Sequence, residues 1–337
     1  MTAKGNITKL SLLLLIGIAL FWMDLFSGVP ISIEQLLDPD ESQIHKLFWQ
    51  IRLPRVINAM LVGVGLSISG LAMQILFRNP LAGPSILGVN AGATLLVALF
   101  LLTLTGSAFL AEFEFASIGS AVLIFSVLGA LMVLILIGVF SLWLKSNISL
   151  LISGLLFSYF SIAIVSLMQF FASPDKLQDF IFWTFGSLAS QSNTNLLLMT
   201  IIVAFSFVVM LLYANRLNAF LLGEDYAVSL GIDIKKMKWL LIIITACITG
   251  VLTAICGPIA FVGMAVPHLA RLLFKTNDTR ILLLAIFIIG CDLMLLSDAV
   301  SRSGDSIVFP INAITALLGT PVILFYIFRT RTRNVNY

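Results

Sequence analysis

The sequence predicts an all-α fold, a polytopic membrane protein that crosses the bilayer about ten times. Two observations predict it. The 337-residue chain is 60% hydrophobic and only 10% charged, whereas about a quarter of the residues of a soluble domain carry charge. The apolar residues also fall in repeated runs between short polar breaks, each near the roughly 20 residues that a helical crossing of a ~30 Å hydrocarbon core needs. The runs are apolar all round, whereas the strands of a membrane barrel alternate polar and apolar over about ten residues. Helices are what remains.

The first run, 7–26, is followed by no small-residue cleavage site, so it is expected to stay as an anchor. A polar segment comes next, holding Glu34, Asp38, Asp40 and Glu41 and ending in Arg52-Leu-Pro-Arg55. The second span, 56–77, carries Gly63, Gly65, Ser67, Ser69, Gly70 and Ala72, small residues that let helix backbones approach closely in lipid. Asn79-Pro80-Leu81 and Gly83-Pro84 then predict a sharp turn. Further spans follow at 86–104, 118–142 and 148–172. The segment 173–194, with Trp183 and Gly186, suits a short amphipathic helix at the interface.

After a span at 196–213, residues 216–239 form a polar stretch that Gly223 and Gly231 divide into two short helical pieces. Leu221, Leu222, Tyr226, Val228 and Leu230 lie there beside Glu224 and Asp225, an apolar patch with a charged rim, as a docking surface has. Spans at 239–256, 258–273, 281–296 and 311–328 complete the chain. Gly257, Pro258, Gly263 and Pro267 make the run at 258–273 a broken or re-entrant crossing, tolerable only inside protein. Asp292 sits within the ninth span, where a carboxylate is costly and by default faces a cavity or a partner.

Fourteen of the 19 Lys and Arg residues fall on one side if the N-terminus is cytoplasmic; Lys46, Arg52, Arg55, Lys176 and Arg302 fall on the other. The excess of basic residues on the cytoplasmic side places both termini in the cytoplasm. Cys247, Cys256 and Cys291 lie in or at the ends of apolar spans and read as small hydrophobes. Neither they nor His45 and His268 have metal-ligand spacing. No G-x-x-x-x-G-K-[ST] phosphate loop is present, so ATP hydrolysis by that route belongs to another polypeptide. Catalytic residues are not expected, and neither is a nucleic-acid partner.

Four blocks carry a resemblance to a known family over nearly the whole length. They are RLPRVINAMLVGVGLSISGLAMQILFRNPLAGPSILGVNAGAT from Arg52, LLGEDYAVSLGI from Leu221, GPIAFVGMAVPHLAR from Gly257, and LLSDAVSR from Leu295 followed by PINAITALLGTPVILF from Pro310. In this order they resemble the iron-siderophore and cobalamin (FecCD-type) permeases of ATP-binding-cassette importers. The resemblance implies a single transmembrane domain, residues 1–337, with the cobalamin-permease-like fold of a type II importer. A second permease subunit, identical or paralogous, would enclose the pathway. Two ATPase subunits would hold ATP and Mg, and a periplasmic binding protein would deliver the solute to the bacterial inner membrane. No cofactor is expected on this chain.

Carried over residue by residue, the resemblance makes about 217–234 the coupling helices, with Leu222, Gly223, Glu224, Asp225, Ala227, Leu230 and Gly231 facing the ATPase. Arg52, Arg55 and Arg302 would meet glutamates of the binding protein. Asn79, Pro80 and Leu81 would lie near a cytoplasmic gate with Ser146 and Asn147. Asp292 departs from the family pattern of a small or apolar residue there. The solute expected is a ferric siderophore, with cobalamin or haem as alternatives, because the family pathway has no dedicated substrate pocket and specificity would reside in the binding protein. A reading from another class is an ion-coupled secondary transporter with Asp292 as the coupling carboxylate, which would transport without any ATPase.

Overall fold

A computed structural model describes residues 3–27, 45–105, 118–143, 147–189, 192–303 and 307–334. Among these residues there are thirteen α-helices and no strand. They are α1 (Ala3–Phe26), α2 (Leu53–Leu76), α3 (Val89–Ala98), α4 (Ile118–Trp143), α5 (Asn147–Phe171), α6 (Pro174–Phe185), α7 (Asn193–Leu212), α8 (Ala214–Leu222), α9 (Glu224–Ser229), α10 (Ile234–Cys256), α11 (Val262–Phe274), α12 (Thr279–Ser301) and α13 (Ile311–Asn334). Seven helices are long and apolar enough to cross a membrane, and Val89–Leu104, Val262–Phe274 and Ile311–Phe325 are shorter apolar helices. Together they match the ten expected spans.

The bundle is built around α2, whose apolar window is 83% buried, against 11% for that of α1 at the periphery. Its small residues explain the position. A Cβ on Gly63 would overlap the backbone of Gly290 in α12, and one on Gly70 would overlap the backbone of Gly263 in α11. These contacts bring main chains together where lipid supplies no hydrophobic drive for association, so van der Waals contact has to do it. Polar links supplement them: the Ser69 and Thr249 hydroxyls lie 2.9 Å apart between α2 and α10. A second core joins α3 to α4 and α5 through Val89, Ala93, Val133, Ile137 and Leu150.

Two elements differ from the sequence expectation. The second crossing begins not at 56 but with a π-helical turn, Leu47–Arg52, that runs straight into α2. The continuous helix Leu47–Leu76 has 30 residues, about 45 Å at 1.5 Å per residue. Arg52 and Arg55 therefore sit inside a helix and not in the segment before it; polar partners, described below, allow that. At its other end α3 also loosens into a π-helical turn, Leu99–Leu104.

The broken eighth crossing takes the form anticipated. Residues 257–261 are non-helical, with Gly257 at φ +76° and Phe261 at φ +67°. Helix α11 follows with Pro267 in its interior. Its 13 residues span about 20 Å, short of the ~30 Å hydrocarbon core. Such a half-helix is tolerable because its residues from Val262 to His268 are buried in protein. In the segment before α7, α6 packs Phe180 inward and Trp183 Nε1 donates to the Ala254 carbonyl at 3.3 Å.

Candidate functional sites at the two ends of the bundle

One end of the bundle carries the three arginines singled out in the sequence. Arg55 lies in the first turn of α2 and grips Asp298 of α12, with Nε at 2.9 Å and Nη2 at 2.7 Å from Oδ1. Arg302, just past α12, bonds the carboxylate of Asp24 and its carbonyl, the latter at 2.8 Å, and stands 3.0 Å from Asp298 Oδ2. Arg52 is buried, with Nη1 3.4 Å from the Leu25 carbonyl. The guanidinium groups of Arg55 and Arg302 thus hold two carboxylates, with Arg52 within electrostatic reach of Arg302, and the side chains of Asp24 and Asp298 are fully enclosed. Fork-shaped pairing of this kind is the strong form of the ion pair.

The sequence brings Arg52, Arg55 and Arg302 to one place, as expected, yet their charge is turned inward. Asp24 and Asp298 were not singled out. The signal available was a carboxylate at the end of each of two apolar runs, Asp24 within 7–26 and Asp298 two residues past 281–296, together with the i,i+4 spacing of Asp298 and Arg302.

The opposite end holds the elbow. Helices α8 and α9 meet at Gly223, whose φ of +140° no other residue type readily adopts, and α9 stops before Gly231 at φ +75°. Leu222, Tyr226, Val228 and Leu230 are exposed, and so is Asp225. Ala227 is fully buried and does not belong to that surface. Glu224 is half-buried and tied on both sides, 3.3 Å from Arg78 Nη2 and 3.0 Å from Lys238 Nζ. Asp233 caps α10 by accepting from the Lys236 N–H at 3.1 Å, and that bond holds its carboxyl below the usual range.

The turn after α2 reaches the same place. The Asn79 side-chain oxygen accepts from the Leu81 N–H at 2.9 Å, and the Asn79 backbone N–H donates to the Gln74 carbonyl at 3.1 Å. Pro80 and Leu81 are exposed. Asn79 and Pro80 line a cavity of about 530 Å³ together with Arg78, Leu221, Leu222 and Arg271. The turn and the elbow are therefore two walls of one cavity, cross-linked by Arg78 and Glu224. Asn147 opens α5, whereas Ser146 lies outside the described residues.

Asp292 faces α1, where its Oδ1 occupies the space a Cβ on Gly17 would need. Neither carboxylate oxygen has a hydrogen-bond partner among the described residues. It belongs to neither end.

Comparison with known proteins fits this arrangement. The model of the FecCD transport family matches residues 11–329. An iron chelatin transport system permease protein of Helicobacter pylori is 32% identical over 320 residues, covering 91% of this chain and 94% of the relative. The vitamin B12 import system permease protein BtuC of Vibrio vulnificus is 32% identical over 290 residues, covering 85% and 84%. A solved inward-facing conformation of a metal-chelate type ABC transporter superposes with a TM-score of 0.80 at 30% identity, covering 96% of this chain and 99% of that one.

Proposed function

Because the chain belongs to the FecCD transport family, we propose that it is the membrane permease through which an ABC importer passes a ferric siderophore across the bacterial inner membrane. It is a multi-span permease of the type II importer class. In this reading two permease subunits enclose the path, two ATPase subunits dock on the elbow, and a binding protein delivers the chelate to the arginine end. Both termini lie in the cytoplasm.

The observation that carries the coupling part of the reading is the cavity shared by the turn and the elbow, cross-linked through Arg78 and Glu224. Displacement of α9 by a partner would reach the end of α2 through that ion pair and no intervening side chain. Exposed Leu222, Tyr226, Val228 and Leu230 offer the apolar anchors such docking needs. A ferric chelate is the solute favoured by the iron chelatin relative and by the metal-chelate transporter of the same fold.

The test is reconstitution in proteoliposomes with a cognate ATPase and binding protein. ATP-driven accumulation of iron-55 supplied as a siderophore complex is the expected result. Accumulation of cobalamin, haem or molybdate in place of iron would overturn the substrate, and accumulation without any ATPase would overturn the importer reading.

A further inference from the structure

The helix of the eighth crossing starts later than its sequence asks. Gly257-Pro258 is a helix-start signal, because proline is favoured as the first helical residue, where its missing N–H costs nothing. Helix α11 nevertheless begins at Val262, and the residue at its cap is Phe261, whose side chain accepts no hydrogen bond. Caps are normally Ser, Thr, Asn, Asp or Gly. Phe261 also has φ +67° and ψ −33°, and the Val262 N–H donates to the Ala260 carbonyl at 2.8 Å. A three-residue turn closed by such a bond at positive φ is a strained γ-turn. A bulky residue at positive φ is an outlier that its surroundings must impose.

Two asparagines from other helices impose it. Asn90, in the first turn of α3, donates from Nδ2 to the Ile259 carbonyl at 3.1 Å. Asn312, in the first turn of α13, accepts from the Ala260 N–H at 3.3 Å. A longer α11 would need the carbonyls of Ile259 and Ala260 for the N–H groups of Gly263 and Met264, four positions on. Asn90 takes the first and the Val262 N–H takes the second, so the bonds of one helical turn are diverted. Phe261 itself sits against α13, where a Cβ on Gly319 would stand 2.7 Å from the Phe261 Cβ. The close approach of Gly70 to Gly263 then pins α11 at its second residue. Near its far end Arg271 bonds the Gln74 side chain and lines the elbow cavity with Arg78.

We propose that residues 258–261 are a conformational switch, which alternates during the transport cycle between this γ-turn and the first turn of a longer α11. The inference goes beyond the importer reading and rests on it. Local preference favours the helix and the two asparagines favour the turn, so two packings of one segment compete. The change is confined to the stretch ahead of the Gly70–Gly263 contact and lengthens α11 by about 6 Å. It releases the Asn90 amide and the Asn312 oxygen together, and it withdraws Phe261 from Gly319. Helices α3 and α13 thereby sense the state of a helix whose other end borders the elbow. Phe261 acts through its backbone: as an L-residue it keeps the turn from becoming too stable to leave.

The test uses the permease assembled with a cognate ATPase in lipid nanodiscs and compares Phe261→Gly with Phe261→Ala. Both lack the ring and differ in their tolerance of positive φ, so glycine deepens the turn state. Phe261→Gly is expected to unfold at a higher temperature than Phe261→Ala and yet to stimulate ATP hydrolysis roughly fivefold less, the factor to which a left-handed penalty corresponds. The chain carrying 4-trifluoromethylphenylalanine at position 261 should show one fluorine resonance without nucleotide and a second with ATP and vanadate. If either variant fails to fold, Gly319→Ala decides: its methyl group crowds position 261 in the turn, so the second resonance should appear without nucleotide. Equal stimulation by the glycine and alanine variants, or a fluorine resonance that ATP leaves in place, would overturn the switch and leave the importer standing. Absence of ATPase stimulation by the wild type would overturn the importer reading and the switch with it.

Discussion

Arg78 and Glu224 lie 3.3 Å apart and join the turn after α2 to the first residue of α9, while Lys238 holds the other oxygen of the same carboxylate at 3.0 Å. Both side chains of the first pair remain more than a third exposed. A pair so placed contributes only about 0.2–1 kcal/mol to stability. Its importance is positional. Glu224→Gln is expected to lower transport and permease-stimulated ATP hydrolysis several-fold while unfolding temperature barely moves. The double reversal Arg78→Glu with Glu224→Arg should recover part of the loss, which a purely local role for Glu224 would not produce.

Gly231 has φ +75° and open space where a side chain would go. Substitution there is opposed by backbone conformation alone, by about 1–2 kcal/mol for an L-residue. Gly231→Val should therefore weaken ATPase association or stimulation with normal membrane insertion, and Gly231→Asn should be milder, because asparagine tolerates the left-handed region. Equal effects of the two would indicate steric contact with the partner instead of strain.

At the arginine end the carboxylates are buried and the guanidinium groups enclose them. Removing one member of a buried pair leaves the other charge uncompensated, at about 3–5 kcal/mol. Asp298→Ala should accordingly lower the unfolding temperature in detergent sharply, beyond what Asp225→Ala does at the exposed elbow. Arg55→Gln should do likewise. If the same arginines also meet a binding protein, replacement by Glu should slow its association and flatten the salt dependence of the rate, measured on reconstituted complex.

Asp292 predicts the opposite behaviour. Beside Gly17 its oxygens have no hydrogen-bond partner among the described residues, so no such partner is stranded when the carboxylate goes. Asp292→Asn is expected to keep iron uptake within about twofold, since near-isosteric replacement of an unpaired polar group removes no bond. Abolished uptake with a proton dependence would instead mark a coupling carboxylate.

Topology can be read at α6. Asp179 is exposed there, and with cytoplasmic termini it faces the periplasm. A single cysteine at this position should react with a membrane-impermeant maleimide in intact spheroplasts, whereas one at Lys235 should react only after lysis. The reverse pattern would invert the orientation.

The spans were legible because lipid imposes a length and a composition on every crossing, and the elbow was legible because Gly223 and Gly231 interrupt it in plain sight. Local pattern failed where partners come from far along the chain. Arg55 and Asp298 are separated by 243 residues, and partners so distant let the second helix begin at Leu47 instead of after the arginines. The bonds of Asn90 and Asn312 to residues 259 and 260 were equally hidden, since a polar residue in an apolar run looks the same whether it faces a neighbour or a cavity.

The two glycines that bound α9 have nothing within 4 Å of where their side chains would project. The short helix between them is anchored chiefly through Ala227 beneath it and Glu224 at its tip. Mechanically this resembles a lever with a glycine at each end and two ties at its tip, to Arg78 and to Lys238. Its buried contact is the small Ala227 side chain, so the elbow is seated apart from the glycine-to-glycine seams of α2. A load applied to the lever would be delivered to two points, the turn at Arg78 and the start of α10 at Lys238, and the rest of the bundle would serve as the frame against which it acts.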